Sequence, residues 1–91
     1  MNLIRFTDGT YDMIFDGDLK VEIIESNQTY DFNYFMNVKW DELSVDEFNL
    51  VVHTHMFIQT ISRKHMTSAL KNRLKELEEH LRSIVEKKIQ Y

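Results

Sequence analysis

Cysteine and proline are absent from the chain, and glycine occurs only twice in 91 residues. Without cysteine there is no disulfide framework, no thiolate nucleophile and no thiolate metal ligand, which suits a reducing compartment. No apolar run reaches the roughly 20 residues that a membrane-spanning helix needs. The opening Met1-Asn2-Leu3-Ile4-Arg5 lacks the charged, apolar and small-residue zones of a signal peptide. The expectation is one soluble, cytoplasmic domain that meets no membrane. Both glycines follow aspartate, at Asp8-Gly9 and Asp16-Gly17, so both mark turns in the first half. Between residues 44 and 90 neither glycine nor proline interrupts a dense apolar pattern.

What is present divides the chain into two layers, residues 1–36 and 44–90. Asp8-Gly9 separates two short alternating runs, 3–7 and 10–15, and predicts a hairpin with a type I′ turn. Closing it there pairs Phe6 with Tyr11 and Ile4 with Met13, and sets Arg5 opposite Asp12. At Asp16-Gly17 a strict two-residue loop would mix the faces of the next strand, 19–24. A three-residue connection instead pairs Phe15 with Leu19, Met13 with Val21 and Tyr11 with Ile23. Ser26-Asn27-Gln28 is a third turn. It leads into a fourth run, 29–36, where Tyr30, Phe32, Tyr34 and Met36 alternate with other residues. The expected product is an antiparallel meander of about four strands, with one aromatic face and one acidic, solvated face.

Leu43-Ser44-Val45-Asp46-Glu47-Phe48 then reads as a helix start. Ser44 and Glu47 have capping-box spacing, and Leu43 with Phe48 has hydrophobic-staple spacing. The helix that follows is apolar almost all round. Farther on, Leu70, Leu74, Leu77, Leu81 and Ile84 form an a/d seam, flanked by Glu78 and Arg82 at i,i+4. Projected backward, the seam is lost near Arg63 and Thr67. Either the chain turns back in 62–68 or a single helix changes partners there; two helices are the favoured expectation, the second packing on the first or on a second copy. The fold class is α+β, with a homodimer expected through the five seam residues.

Chemistry-bearing residues are sparse. His53 and His55 stand at i,i+2 and point to different helix faces, and neither joins His65 or His80 in a metal-ligand spacing. Arg73 and His80 resemble the arginine-histidine pair of helical HEPN ribonucleases, domains without an N-terminal sheet. The bases Arg63, Lys64, Lys71, Arg73, Lys75, Arg82, Lys87 and Lys88 are interleaved with Glu76, Glu78, Glu79 and Glu86. That pattern describes a solvated helix better than a nucleic-acid stripe. No enzyme, cofactor or metal site is expected, and no direct contact with nucleic acid.

Charge is the informative feature. Residues 1–50 hold eleven acids against three bases, a net −8, and residues 51–91 hold four against eight, a net +4, which sum to −4. Asp12, Asp16, Asp18, Glu22, Asp31, Asp41, Glu42, Asp46 and Glu47 recur every few residues on strands, turns and a helix start. Carboxylates so spread can imitate duplex phosphates and occupy a basic cleft. Proline- and cysteine-free, and rich in Asn, Asp, Lys, Ile, Phe and Tyr, the chain resembles the small early proteins of T-even-type bacteriophages. Its size and acidic front half are similar to their anti-restriction DNA mimics. That resemblance implies a phage-encoded, dimeric, non-enzymatic inhibitor of a host DNA-binding enzyme, working in the host cytoplasm. The alternative expectation is a phage assembly chaperone or structural adaptor acting through the leucine seam.

Overall fold

A computed structural model describes residues 4–90. Leu3, expected in the first strand, lies outside them. The elements follow the order β1 (Ile4–Thr7), β2 (Tyr11–Phe15), β3 (Leu19–Ile23), β4 (Gln28–Asp31), α1 (Phe32–Asn37), a 3₁₀ turn (Trp40–Glu42), α2 (Val45–Thr60) and α3 (Ser68–Gln90). The four strands form one antiparallel meander in the order β1-β2-β3-β4. The fold class is α+β, as expected.

The β2–β3 register is the expected one, with Tyr11 opposite Ile23, Met13 opposite Val21 and Phe15 opposite Leu19. The connection Asp16-Gly17-Asp18 closes through an Asp16 N–H to Asp18 C=O bond of 3.2 Å, with Gly17 at φ +109°. The β1–β2 register departs from expectation by two residues: Ile4 faces Phe15 and Phe6 faces Met13. Asp8 is the cause. Its carboxylate accepts from the N–H groups of Thr10 (2.9 Å) and Tyr11 (2.8 Å), and its own N–H donates to the Tyr11 carbonyl. The turn is thereby centred on Gly9-Thr10. Positive φ falls on Gly9 (+87°) and not on Thr10, as a type II′ turn requires and a type I′ turn does not. A shift of two keeps every side chain on its face. Arg5 still reaches Asp12, diagonally, through two bonds of 3.0 and 2.9 Å.

The fourth strand is shorter than its alternation suggests and ends at Asp31. The Asp31 carboxylate accepts from the Tyr34 N–H at 2.9 Å and caps α1. The capped helix buries Phe32 and Phe35 at i,i+3, a helical spacing that wins over the period-two pattern. The start of α2 is as expected: Ser44 and Glu47 make both bonds of a capping box, at 3.0 and 3.2 Å. The chain also breaks where the seam is lost, between Thr60 and Ser68. At about 1.5 Å per residue, the 23-residue α3 nearly spans the molecule's 37 Å long axis.

One apolar core joins the layers. Met13, Phe15, Leu19 and Val21 from the sheet meet Leu50, Val51, Phe57 and Ile58 from α2, and Leu74, Leu77, Leu81 and Ile84 from α3. Leu74, Leu77 and Leu81 are fully buried and Ile84 is 3% exposed within the single chain, while Leu70 is half-buried and reaches Gly17. Four of the five residues expected at a dimer seam are thus buried within the single chain. A heptad pattern identifies a buried face without saying what buries it, and here α2, α1 and the sheet already do so.

Thr54 lies inside the α2 core face at 0% exposure, and its hydroxyl has no hydrogen-bond partner among the described residues. An unpaired buried hydroxyl opposes folding, and valine has nearly the same shape. Thr54→Val is expected to raise the unfolding free energy by about 1 kcal/mol, seen as a higher urea midpoint at unchanged slope. A lower midpoint would mean that the hydroxyl is satisfied.

Candidate acidic groove at the start of helix α2

The expected acidic face is not one surface. On the outer sheet face Asp12 stands directly opposite Glu22, but Arg5 binds Asp12, and Lys20 sits opposite Asp31 on the same face. The diagonal Arg5–Asp12 ion pair and the facing opposite charges of Lys20 and Asp31 offset the like-charge pair, leaving a face of mixed charge. Asp16 and Asp18 lie at the β2–β3 turn, where Asp16 accepts from the Asp18 N–H and Asp18 lies 3.6 Å from Arg73. The remaining carboxylates gather where α1, the 3₁₀ turn and the start of α2 meet the β3–β4 turn.

Two grooves open there. The smaller, about 420 Å³, is lined by Asp31, Glu42 and Glu47 together with Lys39 and Tyr34. The larger, about 760 Å³, runs between the β3–β4 turn and α2, with Glu25, Asp46 and Glu47 on its walls and Tyr11, Ile23 and Leu50 lining its apolar part. Glu47 lines both. The ring pair Tyr30 and Tyr34, with centroids 4.6 Å apart and planes tilted by 46°, contributes one ring to each.

Local hydrogen bonds tie this corner together. Besides its capping-box bonds, Glu47 accepts from the Tyr34 hydroxyl at 3.3 Å, tying α1 to α2. Hydrogen bonds donated to it by the Ser44 backbone N–H and the Ser44 side chain, with a smaller contribution from the Tyr34 hydroxyl, hold the Glu47 carboxyl below its usual range against the opposing effect of burial. At the β1–β2 turn burial opposes ionisation of Asp8. The Tyr11 and Thr10 N–H groups and His53, at 3.2 Å, together outweigh it and leave the Asp8 pKa lowered. Both folded values lie below the unfolded ones. Their stabilisation is present above the unfolded carboxyl range and is lost as pH falls through the lowered folded values.

Burial, the neighbouring charge of Glu47 and the hydrogen bond to it raise the Tyr34 phenol to about 12. The neutral phenol is favoured in the fold, so this contribution is intact below the ordinary tyrosine value near 10 and is lost as pH rises through about 12. Ultraviolet titration of tyrosinate is expected to show a late step that disappears in Tyr34→Phe. Loss of an earlier step instead would contradict the buried contact with Glu47.

No family model, curated protein or solved structure matches this chain. Among the described residues, no group of three or more His, Cys, Asp or Glu is gathered to hold a metal. The pair considered for a nuclease is engaged in packing: the Arg73 guanidinium lies 3.8 Å over the Phe32 ring, and His80 Nε2 is 3.2 Å from the Val38 carbonyl. The basic helix is laced as expected, with Glu78 bridging Arg63 (2.9 Å) and Arg82 (2.8 Å).

Of the nine carboxylates singled out in the sequence, Asp31, Asp41, Glu42, Asp46 and Glu47 belong to the corner between α1 and the start of α2. Two of those five, Asp31 and Glu47, already cap helices. Asp41, Glu42 and Asp46 are exposed and carry no ion pair among the described residues. Sequence reasoning missed Glu25 and the tyrosine pair. The usable signal was Asp31 three residues before Tyr34, an N-cap spacing that turns Tyr34 back toward Tyr30.

Proposed function

We propose that the chain is a non-enzymatic inhibitor that binds a basic surface of a nucleic-acid-processing enzyme through its acidic end. The observation that carries this reading is the group of carboxylates with no ion pair among the described residues, Glu25, Glu42 and Asp46 on the lining of two tyrosine-walled grooves and Asp41 exposed next to Glu42 in the chain. Ion pairing inside a domain stabilises its fold, whereas carboxylates left unpaired next to a concave surface are complementary to a cationic partner. Mimicry of duplex phosphates by this end, a phage origin and a restriction enzyme as target extend the reading and are supported by the resemblance in composition and acidic front half. The assembly-adaptor reading is weaker, because most of its leucine seam is internal.

The test is affinity capture from bacterial lysate with the wild-type chain and with a Glu42→Lys, Asp46→Lys variant. Recovery of a DNA- or RNA-binding enzyme by the wild type alone, with its activity inhibited, supports the reading. Equal recovery by both proteins, or capture restricted to structural components of a virion, would overturn it.

A further inference from the structure

The larger groove combines three features in one place. Among the described residues its lining includes Glu25, Asp46 and Glu47 and no lysine or arginine. Its apolar part is formed by Tyr11, Ile23 and Leu50, and the Tyr30 ring stands beside it. Asp46, in the first turn of α2, and Glu25, between β3 and β4, both line it, are exposed and make no hydrogen bond or ion pair among the described residues. A carboxylate pair over an apolar channel favours a guest with a long apolar stem and a cationic head.

We propose that this groove is a subsite for an arginine side chain carried on an extended basic segment of the partner protein. A guanidinium is planar, so it can lie on a tyrosine face and at the same time direct its N–H fork at a carboxylate. The ammonium of lysine brings equal charge without that geometry. A nucleic acid is disfavoured, because its phosphates would meet three carboxylates. The assignment rests on the reading of the acidic end as a docking surface and names what that surface recognises.

Calorimetric titration of the full chain with an oligo-arginine and an oligo-lysine of equal length tests the subsite. The arginine peptide is expected to bind at least about threefold tighter, and the Asp46→Asn, Glu25→Gln double variant to weaken it about tenfold. Tyr30→Leu, which keeps an apolar wall, is expected to remove the preference for arginine. Asp16→Asn, at the β2–β3 turn, is expected to change affinity by less than about twofold. Equal affinity for the two peptides, or equal losses from Asp16→Asn and the double variant, would overturn the subsite by revealing diffuse charge attraction. The two readings also separate. An enzyme captured equally well by wild type and the double variant overturns the subsite while the inhibitor stands. Arginine-selective binding with no nucleic-acid enzyme captured keeps the subsite and overturns the inhibitor.

Discussion

Leu77→Ala is expected to lower the unfolding free energy by about 3–5 kcal/mol. Leu77 is fully buried between Leu74 and Leu81, and the same core holds Met13, Phe15, Leu50 and Ile58. Removing its branched end loses the transfer energy of the deleted carbons and leaves a cavity that the sheet and α2 can only partly collapse. A domain of this size has about 5–15 kcal/mol in total, so the loss is a large share of the whole and easily read in a urea titration. The experiment also decides what the seam does. An internal seam predicts a urea midpoint that falls sharply and does not depend on protein concentration. A seam between subunits predicts a folded monomer and a concentration-dependent transition. Ile89→Ala, at a residue 75% exposed on the same helix, is the control and should change stability by less than about 0.5 kcal/mol.

The second large effect concerns binding. The Glu42→Lys, Asp46→Lys variant is expected to bind the captured enzyme at least about 100-fold more weakly, equivalent to about 2.7 kcal/mol. Reversal changes the sign of two contacts as well as deleting them, so a cationic partner surface is repelled. The fold should survive. Glu42 and Asp46 are exposed, and Asp46 contributes only its interaction with the α2 dipole, about 0.3–1 kcal/mol. Reversal of Asp16 and Asp18 adds the same charge at the β2–β3 turn, away from the lining of either groove. If it weakened binding equally, the partner would be responding to net charge. The large loss confined to Glu42 and Asp46 is the expected result, read as affinity at fixed ionic strength.

These expectations draw on what the sequence made legible and on what it did not. The capping box at Ser44 and Glu47 is local chemistry, readable from spacing alone. The β2–β3 register follows from alternation, because any slip by one residue would expose its apolar set. The break after Thr60 follows from the lost heptad. The β1–β2 register escaped because a slip by two residues keeps both faces, and only the Asp8 side chain distinguishes the alternatives. Helix α1 escaped because Tyr30, Phe32, Tyr34 and Met36 alternate like a strand while Asp31 caps a helix.

The site was legible as a tendency and not as a place. Nine carboxylates stood out in the first half of the chain, but sequence does not say which of them the fold neutralises. Arg5 takes Asp12, Arg73 approaches Asp18, and Asp31 and Glu47 cap helices. The seam carried the same ambiguity. Its period showed that a face of α3 is buried, and only the packing showed that its own sheet and α2 bury it.

The most direct test of the acidic-end reading is equilibrium competition between this protein and duplex DNA for the captured enzyme. Mutual exclusion is expected, with the apparent affinity for DNA falling in proportion to added protein and the effect lost in the Glu42→Lys, Asp46→Lys variant. A stable ternary complex of enzyme, DNA and this protein would contradict it.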